Sequence, residues 1–383
     1  MNYQELSTSY NQIFDYISKR RIGDALDALG ILCNLCRNRD LRSQLDAHTE
    51  TYVNMLKYAF ELSDDPQKEK VYIRLVKAII GLADDAREDL IRSNKLLNYY
   101  SLKILPESLA DQVVSDFSQQ VSRLQLQKES ETDTNPDPSY TLPEYSDNLR
   151  ALFRIIWHSD KLKDTEIRLI EKISKSDGIP WYDKCILVSA LSLSLIRHFD
   201  SNKINLLFDF FEKGEKQVRE RALVSLVLGL AFYDRRITYY PEILQRLKAI
   251  QGMKEVNKSI EIIIQQFIKA RETEKITRKI QQEILPQMIR IKSKLEEKLD
   301  LENLLSSMNP EDKNPEWETF FKESPDVYNK LEEFTNLQME GADVFLSAFA
   351  MLKQFDFFNE VNNWFLPFYK ENEFISASFD GIS

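Results

Sequence analysis

Between Asp147 and Gln251 apolar residues return every three or four positions, in blocks separated by short polar turns. That spacing predicts amphipathic helices. Leu149, Leu152, Phe153 and Ile156 form the stripe of the first block, and Ile167, Ile170 and Ile173 that of the second, which Asp164 is expected to cap. Asp177-Gly-Ile-Pro180 predicts a turn, with Pro180 suited to a first helical position. Ser201 is expected to start the following helix and Gly214 to end it; Lys216 opens another, and Pro241 begins the last. The blocks pair into three helical hairpins. Leu187-Val188-Ser189 recurs as Leu223-Val224-Ser225, a period of 36 residues. The turns echo as well: Trp157-His158-Ser159-Asp160 is matched by Arg197-His198-Phe199-Asp200, with Phe232-Tyr233-Asp234 in the third place.

The same periodicity predicts several antiparallel helices over residues 1–127. Leu6, Tyr10, Ile13, Phe14 and Ile17 make the first face, Gly23 is expected to cap its C-terminal end, and Asp24 to open a helix bearing Leu26, Leu29, Cys33 and Cys36. Further helices are expected at Ser43–Leu62, Gln67–Leu82, Ala86–Leu97 and Leu109–Leu126, with Asp85 a cap for the third. Residues 128–147, with three prolines and six acidic groups, read as a linker. After the block at 148–251, residues 252–308 read as a long helical connector interrupted at Pro286. Residues 309–383 begin with a proline-punctuated loop, followed by an aromatic-rich helical segment from Val327 to Tyr369.

Two helices per unit at a period in the thirties predict an all-α chain built as an α-solenoid of antiparallel hairpins. The phrase from Tyr10 to Leu29 resembles one tetratricopeptide hairpin, and Val218-Arg219-Glu-Arg-Ala222-Leu-Val-Ser-Leu226 resembles the second-helix phrase of HEAT repeats. Glu272-Thr-Glu-Lys-Ile-Thr-Arg-Lys-Ile-Gln-Gln-Glu, Asp312-Lys-Asn-Pro-Glu-Trp317 and Met339-Glu-Gly-Ala-Asp-Val-Phe345 resemble a family of large helical-repeat proteins from bacteroidete bacteria whose function is not established. The resemblance spans about residues 147–372. It implies a bacterial repeat scaffold with further C-terminal repeats, and therefore a truncated C-terminal segment. It implies no catalytic residues.

Composition narrows the chemistry. Of 383 residues only 9 are glycine, few for the tight turns and phosphate loops of β or α/β proteins. A net charge of −10 disfavours polyanions as partners. Three cysteines make no disulfide framework. No basic-then-apolar leader and no apolar run of about 18 residues is present, so a cytoplasmic protein with no membrane partner is expected. Cys33-Asn-Leu-Cys36 lacks a second ligand pair and reads as core cysteine; His48, His158 and His198 form no metal-ligand pair. Neither a nucleophile elbow nor a glycine-rich nucleotide cradle is found. No cofactor or metal is implied.

A non-enzymatic scaffold that holds a protein or peptide is the expected function. One alternative is nucleic-acid contact through Lys269, Arg271, Lys275, Arg278, Lys279, Arg290, Lys292 and Lys294. Another is a helical enzyme whose site is assembled from scattered residues. The candidate partner-binding ridge is Arg219, Arg221, Tyr233, Arg235, Arg236, Tyr239 and Tyr240, because Arg and Tyr dominate binding hot spots. Replacing Arg235 and Arg236 together is expected to spare folding and weaken capture. Phe357, Phe358, Trp364, Phe365 and Phe368 make a candidate C-terminal docking patch.

Overall fold

The computed structural model describes residues 2–61, 67–94, 96, 106–130, 143–279, 282 and 359–369. Among them the chain is all-helical, with thirteen α-helices and no strand. Residues 1–252 and 365–383 group as one compact unit, and residues 253–364 as a second. No helix among the described residues is long and apolar enough to cross a membrane.

The first four helices are α1 (Tyr3–Ser18), α2 (Ile22–Leu35), α3 (Asp40–Glu61) and α4 (Lys68–Ser93). Asn2 and Glu5 close a reciprocal capping box at the head of α1, each side chain accepting the other's backbone N–H at 2.9 Å. Leu6, Ile13, Leu29, Leu32, Val76 and Ile79 meet in a shared core. Three expectations are corrected here. The left-handed residue after α1 is Arg20, at φ 56°, rather than Gly23, which lies in the first turn of α2. Asp24 does not open that helix but sits in its first turn, paired with Arg21. The two helices expected at Gln67–Leu82 and Ala86–Leu97 are one, because Asp84 and Asp85 are not caps. They lie mid-helix, held by partners distant in sequence.

Helix α5 (Glu107–Ser130) runs three residues into the expected linker, and α6 (Pro143–His158) begins before its end; residues 131–142 lie outside the described residues. The hairpin block continues with α7 (Asp164–Lys175), α8 (Trp181–Arg197), α9 (Ser201–Lys213) and α10 (Lys216–Phe232). A short α11 (Asp234–Ile237), which no sequence pattern announced, precedes α12 (Pro241–Ile250). The starts at Ser201, Lys216 and Pro241 and the end at Gly214 fall as the spacing predicts. Pro180 precedes α8 as its N-cap rather than opening it. Asp164 is the first residue of α7, whose head is closed by Glu166 accepting the Lys163 N–H.

Helix α8 packs between α6 and α10, while α9 packs between α7 and α12. Two glycines allow close approach, Gly229 to a side chain and Gly178 to a backbone. A Cβ on Gly229 of α10 would come within 2.5 Å of Leu195 on α8, and one on Gly178 within 2.9 Å of the Leu124 backbone of α5. Hydrogen bonds tie successive helices and turns at sequence separations of 31 to 44 residues, among them Ser194 to the Ser159 carbonyl and Arg246 to the Asn205 carbonyl.

The second unit contributes α13 (Lys254–Lys279) and most of a 3-10 turn, Val361–Phe365. The expected helix from Val327 to Tyr369 does not reach its end: residues 366–369 are non-helical. The rest of that helix, the kink at Pro286, the loop at 309–326 and the basic residues beyond Lys279 lie outside the described residues.

Candidate functional site

Each hairpin turn leaves helix-end carbonyls without intrahelical donors. Residues of the following turn supply them. Arg197 donates to the His158 carbonyl at 2.7 Å, and buried Lys203 donates to the Ser159 and Asp160 carbonyls at 2.9 and 2.7 Å. The Tyr233 hydroxyl donates to the Leu195 carbonyl at 2.7 Å, one hairpin further along. Asp200 caps α9 and also accepts the Leu162 N–H at 3.0 Å. Burial pulls the Lys203 ammonium down to about 7. The recurring turn residues therefore serve as helix-end caps from one turn to the next.

The same turn edge meets α4. Asp84 accepts a two-pronged guanidinium from Arg236, at 2.5 and 3.1 Å, and Tyr10 bonds to both. Asp85 lies 3.0 Å from His198 Nε2 and 3.3 Å from Lys161. Glu88 accepts from Arg197, which also pairs with Asp160, and Arg92 reaches Asp160 at 2.6 Å. Burial works against the charges on Asp85 and Asp160. His198 and Lys161 outweigh it for the first, Arg197 and Arg92 for the second, and both carboxyls stay below their ordinary range. One helix of acidic residues is thus zipped to three consecutive turns.

This arrangement decides what the ridge residues do. Arg236 is 2% exposed, among the largest fully buried side chains, and its guanidinium sits 4.6 Å from the Phe199 and Tyr233 ring centres and 5.0 Å from that of Phe14. Tyr233 is buried, and Tyr240 packs on Phe199 under Lys77. Tyr239 packs against the N-terminal core. Arg235 is exposed and pairs with Asp15, and Arg219 lies over Phe211. The expectation that Arg235 and Arg236 can be replaced together without harm to folding is corrected, because Arg236 is a core residue. Two clefts flank it, one of about 360 Å3 bordered by Tyr3, Arg87 and Phe232 and one of about 450 Å3 bordered by His48, Lys77 and Asp200. Their carboxylates Asp84, Asp85, Asp200 and Asp234 are each engaged within the fold.

Arg221 stands apart. From α10 its Nη1 donates to the Cys185 carbonyl and Ser189 hydroxyl of α8, at 3.2 and 3.0 Å, and to the carbonyl of Phe365. Phe365 lies 5.9 Å, centre to centre, from Phe153 of α6. Tyr369 stacks on Tyr182 of α8 at 3.9 Å, with the rings 2° from parallel. The stretch 365–369 therefore touches α6, α8 and α10, the helices of one row. Within the candidate C-terminal patch Phe365 is half-buried, while Phe368 is 85% exposed and Trp364 37%. Phe357 and Phe358 lie outside the described residues.

Cys33 and Cys185 are buried and Cys36 is half-buried; burial raises their thiols to about 11, 11 and 12. Among the described residues no group of three or more His, Cys, Asp or Glu is placed to hold a metal ion. No protein-family model, no curated protein and no solved structure matches the chain.

Proposed function

We propose that the chain is a non-enzymatic helical-repeat scaffold that binds a protein or peptide, with its hairpins stacked as an α-solenoid. The observation that supports this best is the packing in two rows. Helices α6, α8 and α10 adjoin in order, as do α7, α9 and α12, with side chains of one hairpin capping the helix ends of the one before. A stack of this kind adds surface with every unit and needs no chemistry to be useful. Asp160, Lys161, Arg197, His198 and Arg236 of the turns pair with α4, which assigns that edge to cohesion. The row α6, α8 and α10 is the face we assign to the partner.

Affinity capture from native extract with the full chain tests this reading. The expected result is a defined protein held in near-stoichiometric amount, resistant to nuclease and to a rise from about 0.1 to 0.5 M salt. Retention of nucleic acid alone, falling steeply with salt as counterion release requires, or retention of nothing, contradicts it.

A further inference from the structure

We infer that the row α6, α8 and α10 is a groove for an extended peptide of aromatic–Leu-Pro–aromatic character, and that the chain's own Phe365-Leu-Pro-Phe-Tyr369 is its resident, displaceable occupant. The inference rests on the scaffold reading and deepens it by naming the ligand class.

Three features carry it. First, the segment is held by its backbone and by two of its rings. One side chain, Arg221, grips a backbone carbonyl, while alternate rings enter side-chain sites on Phe153 and Tyr182. A bond to the main chain is indifferent to sequence, whereas the ring contacts favour aromatic side chains at those two positions. Second, the segment is free of helix over 366–369, and Pro367 has no N–H to leave unsatisfied. Third, its burial is divided. Phe365 and Tyr369 are half-buried, yet Phe368 projects with 85% of its surface exposed. A segment that only completed a core would turn that ring inward, since burial of a large apolar side chain is favourable.

The occupant is part of the chain, so it competes at an effective concentration of up to about 1 mM. If the same residues bind in trans with a dissociation constant of about 10–100 μM, that competition weakens a partner peptide on the order of 10- to 100-fold. The tethered segment thus sets a threshold that a weak ligand does not pass.

The test uses the full chain and a fluorescent synthetic peptide of residues 361–369, Val-Asn-Asn-Trp-Phe-Leu-Pro-Phe-Tyr. Anisotropy is compared for the native chain and for the variant Phe365→Ala/Tyr369→Ala. At least tenfold tighter binding to the variant is expected. Adding Arg221→Ala or Tyr182→Ala to that variant should each undo the gain. Tyr182→Ala removes one half-buried ring and guards against a folding defect in the arginine variant, and melting curves accompany both. Equal binding by native and opened chains overturns the inference. So does a gain that neither Arg221→Ala nor Tyr182→Ala diminishes. If the opened chain still captures its protein from extract but binds the peptide no better, this inference fails and the scaffold reading stands. If it captures nothing and binds no peptide, both fail.

Discussion

Replacing Arg236 with alanine is expected to destabilise the chain by about 3–5 kcal/mol, the cost of leaving one member of a buried ion pair without its partner. Asp84 is 6% exposed, and its carboxylate would keep only the Tyr10 hydroxyl. The three rings around the guanidinium would also lose their cation. In a unit of this size the melting temperature should fall by roughly 10 °C. Arg235, the next residue along, is the control. Its pair with Asp15 is solvent-exposed on both sides, and Arg235→Ala should cost less than about 1 kcal/mol. The paired change Arg236→Met with Asp84→Leu should be less damaging than either single change, because it removes both charges together. Equal, small effects of Arg235→Ala and Arg236→Ala in thermal denaturation would contradict the account of how α4 is held.

The second large effect depends on pH. Asp183 is 6% exposed in the first turn of α8. Burial raises its carboxyl to about 7, against the pull of the Tyr145 hydroxyl at 2.9 Å. The unfolded chain would release that proton near pH 4. Between about pH 4 and 7 the folded state therefore holds a proton that the unfolded state has lost, and stability falls as pH rises. Below that window the contribution is complete; above it the buried carboxylate is a constant cost. Asp183→Asn keeps an acceptor for Tyr145 and does not titrate. The stability difference between the variant and the native chain should move by roughly 3–4 kcal/mol in favour of the variant from pH 4 to pH 8. Taking the difference between two chains cancels the other groups that titrate nearby, His158 and Lys203 included. Urea melts at the two pH values read it directly, and a difference that does not move with pH contradicts the burial argument.

The local half of this fold was legible in the sequence. Ser201 follows the capping Asp200 and Pro241 takes a first helical position, by rules that act within a few residues, while Gly214 and Lys216 bound the polar break between α9 and α10. The echo of Trp157-His158-Ser159-Asp160 in Arg197-His198-Phe199-Asp200 was visible too, and the structure gives it a cause: those residues cap the neighbouring hairpin's helix ends and meet α4. What was not legible depends on long separations. Asp85 read as a helix cap, the usual place of an acidic pair such as Asp84-Asp85. Only a cation 152 residues away, at Arg236, and a histidine 113 residues away, at His198, place them inside a helix. Arg236 read as surface for the same reason. Arg20 escaped notice because a non-glycine residue in the left-handed region leaves no compositional mark, whereas Gly23 three positions on offered a ready but wrong candidate. At Arg221 sequence could flag the residue type, but not that its guanidinium reaches a carbonyl 144 residues away.

Hydrogen exchange of the full chain, alone and with the protein it captures, puts the central claim at most direct risk. The account predicts new protection concentrated in α6, α8 and α10, with α7, α9 and α12 unchanged. Protection confined to the opposite row, or to the α4 edge, would show that the partner is held elsewhere and that the assigned face is wrong.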